Sequence, residues 1–287
     1  MMPPATQIDY SKKWFVMAAV GMGVFLATID SSIVNVALPT LVDSFGAVLA
    51  TVQWVVLAYL LTVTTLMLSV GRLADMIGKK PPYTWGFVIF TIGSVLCGLS
   101  WSIQALILFR ILQAIGAAMV MALGMAIVTE AFPPGERGKA LGISGSLVSI
   151  GIVVGPTLGG ILIASLSWHW IFFVNLPIGI IGTWMVIRFV PATRPSGGQK
   201  FDGWGALAFL VTLLMFLLAL TIGQETGFTA LPVLALFGGS FLFLLLFIWV
   251  EQTVREPMLD LKIFRDRHFT VSLITAVITF IAIAGAT

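Results

Sequence analysis

Two charged residues, Asp30 and Arg110, lie well inside long apolar runs of the chain and are the first candidates for chemistry. At a helical rise of about 1.5 Å per residue, Asp30 lies about 12 Å and Arg110 about 8 Å from the outer ends of their runs. Because these depths nearly match, the two side chains can face one another. Charges at such depth are costly and indicate function.

The chemistry that this pair can do is the binding and release of a proton. A carboxylate that is removed from water binds a proton more readily, and a nearby guanidinium opposes that tendency. We therefore predict that Asp30 and Arg110 couple the protein to protons. The alternative is a static ion pair that holds two helices together, although a buried pair is weak evidence for stability.

Two amide side chains, Asn35 and Gln113, share the apolar runs that hold these charges. Gln113 follows Arg110 by three residues and therefore lies on the same helical face. Asn35 lies a little more than one turn beyond Asp30. Each amide is a candidate for contact with a substrate or for a hydrogen bond between helices, and the second is the commoner use of such residues.

A short charged segment at 71–80 joins two apolar runs and is bounded by Gly71 and Gly78. We predict a tight hairpin loop here, because glycine permits tight backbone geometry. The charged residues of the segment are Arg72, Asp75, Lys79 and Lys80. Asp75 can pair with a basic residue or with a helix N-terminus. A solvated turn is the alternative interpretation.

Three glycines at intervals of four residues, Gly151, Gly155 and Gly159, fall on one helical face, with Pro156 beside them. Small residues at this spacing let two helix backbones approach closely. Proline removes one helical hydrogen bond and favours a kink. The pattern predicts a close-packed, kinked helix, either for simple packing or as a surface on which one half of the protein rocks against another.

The composition shows which elements must position these residues. Of the 287 residues, 59% are hydrophobic and 9% are charged, against about 25% charged in soluble domains. Helices of about 20 apolar residues cross a bilayer, whereas barrel strands would alternate in polarity. We predict an all-α polytopic membrane protein with nine spans. They cover 14–38, 52–73, 82–100, 105–129, 140–166, 170–189, 204–222, 231–250 and 269–287.

The basic residues set the orientation of these spans. With the N-terminus inside, every Lys and Arg except Arg110 falls on one side of the membrane. They are Lys12, Lys13, Arg72, Lys79, Lys80, Arg137, Lys139, Arg188, Arg194, Lys200, Arg255, Lys262, Arg265 and Arg267. Because cytoplasmic loops carry an excess of basic residues, we predict a multi-pass protein of the cell membrane whose N-terminus is cytoplasmic. The net charge of +3 therefore reflects topology, and we expect no nucleic-acid partner.

Two polar linkers divide the predicted chain. A tail at 1–13 precedes a six-helix bundle at 14–190. The segment 191–268 holds two inserted helices, at 204–222 and 231–250, and a short amphipathic stretch at 258–264. The last run, at 269–287, is the ninth and has no polar flank, so we expect it to open an incomplete second half. The missing half is then expected in the full-length form.

Few residues offer any other chemistry. The single cysteine, Cys97, excludes a disulfide within one chain, and His169 and His268 fall at opposite membrane faces. We expect no metal and no cofactor. No catalytic triad or phosphate loop is evident, so we do not expect an enzyme.

Five segments together resemble the major facilitator superfamily, in particular its fourteen-helix drug:proton antiporter branch. The segments are 30–39 in span one, 71–80 between spans two and three, 110–116 in span four, 151–160 with Gly155-Pro156 in span five, and 168–179 with Asn175-Leu176-Pro177 at the start of span six. Met76, where the family often has a basic residue, and Pro81-Pro82 depart from its pattern.

The resemblance implies proton-coupled efflux of small hydrophobic or cationic molecules by alternating access between two six-helix halves. It assigns proton coupling to Asp30 and Arg110, and gating contacts to Asp75 in the 71–80 loop. The proton gradient would be the energy source, and the partners would be the lipid bilayer, protons and a small-molecule substrate. The alternative is a truncated, non-transporting remnant, or a scaffold or sensor on the same fold.

Overall fold

The computed structural model describes residues 10–192, 202–254, 259, 263 and 265–285, and the regular elements in these ranges are helices. The chain divides into two units, Met1–Gln199 and Lys200–Thr287. The described part of the first unit contains α1 (Lys13–Phe45), α2 (Leu49–Ile77), α3 (Lys80–Gly98), α4 (Ile103–Ala131), α5 (Arg137–Ser165), α6 (Trp170–Phe173) and α7 (Asn175–Phe189). The second contains α8 (Gly203–Thr226), α9 (Leu231–Thr253) and α10 (Arg267–Gly285). The predicted all-α class is confirmed.

Glycines and a hydroxyl cap set the limits of the first helices. Gly46 closes α1 at φ 57°, and its N–H donates to the carbonyl of Val42. Gly78 ends α2 at φ 88°; both φ values lie in the region that glycine adopts without steric cost. Ser102 caps α4 because its Oγ accepts a hydrogen bond from the Ala105 N–H at 3.2 Å.

Seven helical stretches of the described residues are long and apolar enough to cross a membrane. They are Tyr10–Phe45, Leu49–Ile77, Ile103–Ala131, Pro134–Ser165, Trp170–Phe189, Gly203–Gln224 and Leu231–Thr253. The predicted spans at 82–100 and 269–287 are not among them. The predicted span at 82–100 corresponds to α3, and Pro81, Pro82 and Tyr83 lower the mean hydropathy of its first turn. α3 packs against α4 and α7 in the bundle. That α3 and α10 cross the membrane stays a prediction.

The predicted span at 170–189 matches one of these stretches, Trp170–Phe189, and its helix has one irregular residue, Val174. α6 ends at Phe173 and α7 begins at Asn175. Pro177 has no N–H to donate to the carbonyl of Phe173, which is its partner in a continuous helix. Val174 itself keeps right-handed helical dihedral angles, with φ −60° and ψ −25°. Asn175 is the first residue of α7, and its side chain is fully buried in the bundle.

Helix α1 is the central element of the first unit and contacts α2, α4, α5 and α7. One hydrophobic cluster packs around its first half, up to Leu26, and a second packs around its later part, from Ile33. Asp30 lies on α1 between the two clusters and is fully buried. The fold therefore encloses the charged Asp30 between two apolar layers.

In the second unit, α8 and α9 correspond to the two predicted inserted helices and pack together. Asp202 caps α8, since its Oδ1 accepts a hydrogen bond from the Gly205 N–H at 2.9 Å. Ser240 of α9 donates to the Thr212 carbonyl of α8 at 3.0 Å. Arg194, Lys200, Arg255 and Lys262 lie outside the described residues, and so does most of the predicted amphipathic stretch at 258–264.

Candidate functional site

The Asp30 carboxylate accepts three hydrogen bonds from two other helices. Arg110 of α4 donates from Nη1 to Oδ2 at 2.6 Å. Gln113 of α4 and Asn175 of α7 each donate from their amide nitrogen to Oδ1 at 2.8 Å. All four residues have a relative exposure of 0%. The predicted meeting of Asp30 and Arg110 is confirmed, and charge-assisted bonds of this length are strong.

Arg110 is held by more than its ion pair. Its Nε donates to the Val55 carbonyl of α2 at 3.1 Å, and its Nη1 also donates to Gln113 Oε1 at 2.7 Å. The guanidinium lies over the ring of Tyr59, with 4.0 Å between its central carbon and the ring centroid. This distance is well within the range of a cation–π interaction. The cation therefore keeps several partners that do not depend on the charge of Asp30.

Two side chains of α3 extend the network. Ser94 Oγ accepts a hydrogen bond from Asn175 Nδ2 at 3.0 Å and donates to the Phe172 carbonyl of α6 at 2.9 Å. Cys97 Sγ donates to Gln113 Oε1 at 3.6 Å. The close approach of α3 to α4 is possible because Gly93 lacks a side chain, and a Cβ there would lie 2.7 Å from the Gln113 backbone nitrogen.

The predicted close packing of the glycine face of α5 is confirmed, and its partner is the stretch of α1 that carries Asp30. A Cβ added at Gly151, Gly155 or Gly159 would collide with side chains of Thr28, Ser32 and Ile33 respectively. Ser32 Oγ also donates to the Gly151 carbonyl at 3.0 Å. Pro156 lies inside α5, which runs through it from Arg137 to Ser165.

The structure distinguishes the two amides that were candidates for substrate contact. Asn35 is exposed, and its amide donates to the Ser31 carbonyl at 3.3 Å. Gln113 is fully buried, and both ends of its amide bond to Asp30 or Arg110. Gln113 thus joins α4 to α1 through the ion pair, while Asn35 keeps an accessible position.

The predicted loop at 71–80 is wrong for most of its length. Gly71 to Ile77 continue α2, and only Gly78 and Lys79 separate α2 from α3. The prediction failed because Arg72, Leu73, Ala74 and Met76 are good helix formers. Gly71 is helical and has open space around it. Of the two glycines, only Gly78 adopts a positive φ.

The residues of this segment meet neighbouring helices at one end of the bundle, where the basic residues gather. Lys79 pairs with Glu130 of α4 at 2.5 Å, and Lys80 donates to the Ile187 carbonyl of α7 at 2.7 Å. Asp75 is exposed and makes no ion pair within the described residues. Arg72 lies in the last turns of α2. A gating role stays a prediction for the six residues Gly71, Arg72, Asp75, Gly78, Lys79 and Lys80.

The opposite end of the bundle has little positive charge. His169 lies there, between α5 and α6, and its ring stacks on Trp168 with 3.7 Å between ring centroids. Partial burial lowers the pKa of His169 below its ordinary value. The imidazole is therefore neutral at neutral pH, and the contrast in charge between the two ends is preserved.

The Lys79–Glu130 pair is expected to add little to stability. Glu130→Gln should change the free energy of unfolding of the 287-residue chain by less than about 1 kcal/mol, because the carboxylate side chain is 42% exposed. Thermal unfolding in detergent at low and high salt provides the measurement. A much larger loss that vanishes at high salt would contradict this expectation.

Sequence reasoning missed Asn175, Ser94 and Tyr59 as parts of the site. Asn175 was noted within a motif, and its signal was a strongly polar side chain between apolar residues. Ser94 and Tyr59 gave no such signal, since serine and tyrosine are common in membrane helices. Their positions depend on the rotation of α3 and α2 about their axes, which spacing alone does not determine.

Long apolar helices packed around a fully buried ion pair define a multi-pass membrane protein. The chain belongs to the Major Facilitator Superfamily, a family of membrane transporters whose model matches residues 20–287.

Curated relatives extend the comparison. The chain is 42% identical over 271 residues to a protein named riboflavin transporter RibZ, of Clostridioides difficile, covering 93% of the chain and 57% of the relative. It is 36% identical over 270 residues to multidrug resistance protein Stp of Mycobacterium tuberculosis, covering 94% and 50%. It is 34% identical over 261 residues to multidrug transporter protein MdtP of Bacillus subtilis, covering 91% and 48%. The chain spans about half the length of these relatives.

Proposed function

We propose that this chain is the N-terminal part of a secondary active transporter that exchanges protons for small hydrophobic or cationic molecules by alternating access. The observation that carries this proposal is the fully buried Asp30 carboxylate, paired with Arg110 between two apolar layers. Intramembrane carboxylates of this kind serve as proton relays in transporters. The relatives Stp and MdtP are named multidrug proteins, which supports drug-like molecules as the transported substrates.

The surroundings of Arg110 suit a proton-exchange cycle. When Asp30 takes up a proton it loses its charge, and its attraction to α4 weakens. Arg110 keeps its bonds to the Val55 carbonyl and to Gln113 and its position over Tyr59. The cation therefore stays on the α2–α4 side while α1 is released. A difference of this kind between two states lets protonation shift a conformational equilibrium.

The basic end of the bundle is assigned to the cytoplasm on the same proposal, since basic residues are retained on that side. The N-terminus is then cytoplasmic and the protein lies in the cell membrane. Asp75, exposed at that end, is positioned to contact a partner helix and so to act in gating. The interpretation of the chain as a remnant, scaffold or sensor is not favoured, because the relatives RibZ and MdtP are named transporters.

A second candidate substrate follows from the name of RibZ, with which the chain shares 42% identity. Riboflavin is a flat aromatic molecule, and a predominantly apolar site binds such molecules. The two proposals rest on the same fold and the same ion pair, and they differ only in the transported molecule.

The proposal is tested with the full-length gene product in proteoliposomes. We expect a cationic dye such as ethidium to move against its gradient when a pH gradient is imposed, and to stop when a protonophore collapses that gradient. Radiolabelled riboflavin in parallel vesicles separates the two substrates. Movement of either compound that is unaffected by the protonophore would contradict proton coupling, and no movement of either would contradict both substrate proposals.

A further inference from the structure

Asn175 is the one residue of α7 that bonds to the Asp30 carboxylate in the part of the chain that the structure describes. Its Nδ2 donates to Asp30 Oδ1 at 2.8 Å and to Ser94 Oγ at 3.0 Å. Its Oδ1 is buried and has no hydrogen-bond partner among the described residues. A buried amide oxygen without a partner is costly, so this one requires an explanation.

We propose that Asn175 is a positioning residue that stabilises the charged form of Asp30 and links that charge, through Ser94, to the last turn of α6. The inference rests on the proposed function, in which Asp30 exchanges a proton. The link runs from Asp30 through Asn175 to Ser94, and from Ser94 to the Phe172 carbonyl in the last turn of α6. Phe172 and Asn175 lie on either side of Val174, where α6 passes into α7.

The unpartnered oxygen of Asn175 fits the protonated form of Asp30. A protonated carboxyl group must donate its O–H to an acceptor. Gln113 Oε1 already accepts from Arg110 and from Cys97. A half-turn of the Asn175 amide would present its free Oδ1 to the new O–H. The same residue then serves both forms of Asp30, by donating to one and accepting from the other.

The other groups that face Asp30 do not duplicate this role. The titratable or charged groups near it are Arg110 on α4, Tyr59 on α2 and Cys97 on α3. Residues 140–165 of α5, all of α6, and α7 as far as Ile187 contain no titratable side chain. Arg110 favours the charged carboxylate by its own charge, and Asn175 adds a neutral donor from a different helix.

Replacement of Asn175 should raise the pH at which Asp30 takes up its proton. Asn175→Leu has a similar size and can neither donate nor accept. The bond to the charged carboxylate is about twice as strong as its neutral counterpart, so the charged form loses more. We expect the titration midpoint to rise by about one pH unit, the effect of one lost hydrogen bond to a charge.

The measurement is an infrared titration of the full-length gene product, in which the C=O band that Asp30→Asn removes reports protonated Asp30. Asn175→Ala is the second variant if Asn175→Leu does not fold, and the same direction is expected. Ser94→Ala is the matched control. It removes the other acceptor of Asn175 without removing a donor to Asp30, so its shift should be less than half that of Asn175→Leu.

Each outcome has one meaning for the inference. A higher midpoint in Asn175→Leu supports it, and so does a band that enters the accessible pH range only in the variant. An unchanged midpoint overturns it, as does a carboxylate that stays charged throughout in both proteins. Dye export that ignores the pH gradient overturns the proposed function instead, however the band titrates, so the two failures are distinguishable.

Discussion

Asp30→Asn in the full-length gene product should insert into the membrane and lose at least about tenfold of its gradient-driven export. Asparagine has nearly the size of aspartate but cannot bind and release a proton, so it fixes the neutral state. It also leaves Arg110 without its counter-charge, and removing one partner of a buried ion pair costs about 3–5 kcal/mol. The loss of at least about tenfold in gradient-driven export is expected because the proton-binding group itself is removed. Export and gradient-independent exchange of dye are measured in proteoliposomes.

Three variants control this result. Asp43→Asn changes the other carboxylate of α1, which is exposed, and should leave export within about twofold, as surface substitutions usually do. Asp30→Asn with Arg110→Gln removes both charges and should recover stability without recovering coupling. Asp30→Glu keeps a carboxylate and should keep part of the proton coupling. Gradient-driven export at the wild-type rate in Asp30→Asn, at equal protein in the membrane, would remove Asp30 from the coupling mechanism.

Charge and hydropathy were enough to predict the central ion pair of this site and most of its helices from the sequence. Asp30 and Arg110 stand out because charge inside an apolar run is rare, and their similar depths predicted the contact that the structure shows at 2.6 Å. The helices follow from the apolar runs, because a bilayer leaves the backbone few other solutions. α1, α2 and α4 extend beyond the predicted spans at both ends, because a helix need not end where the apolar run ends.

The partners of the ion pair were beyond the reach of the sequence for a physical reason. Asn175 is 145 residues from Asp30, and its place depends on the rotation of α7 about its axis. Its own type also favours a commonplace interpretation, since asparagine often joins two membrane helices. The prediction for the segment at 71–80 was wrong for a different reason, because it relied too much on individual residues. Its charges and glycines suggested a loop, but the helix-forming residues between them prevailed.

The face of α1 opposite the ion pair packs against the glycines of α5, so that this packing bears on the geometry of Asp30. Thr28 and Ser32 point toward α5, while Asp30 between them points toward α4 and α7. The backbone position of α1 is therefore fixed from both sides over a single turn. A displacement of α1 by α5 is expected to lengthen the bonds to Asp30, so that packing on one face controls the geometry of charge on the other.

Gly155→Leu should destabilise the bundle by about 1–3 kcal/mol and reduce gradient-driven export at least about tenfold. A Cβ at this position already meets the Ser32 side chain and lies 3.2 Å from the Ile33 backbone nitrogen. A leucine must therefore push α1 and α5 apart, which also breaks the bond from Ser32 to the Gly151 carbonyl. Thermal unfolding of the 287-residue chain and export by the full-length gene product give the two measurements.

Gly142→Leu is the matched control, on the same helix but at an exposed position with nothing within 4 Å of its Cβ among the described residues. It carries the same change in helix propensity, so the difference between the two variants isolates the contact with α1. We expect Gly142→Leu to unfold at or above the temperature of the unmodified chain. Equal stability of the two leucine variants would mean that α1 and α5 can separate at no cost, and the close packing would then have no part in holding Asp30 in place.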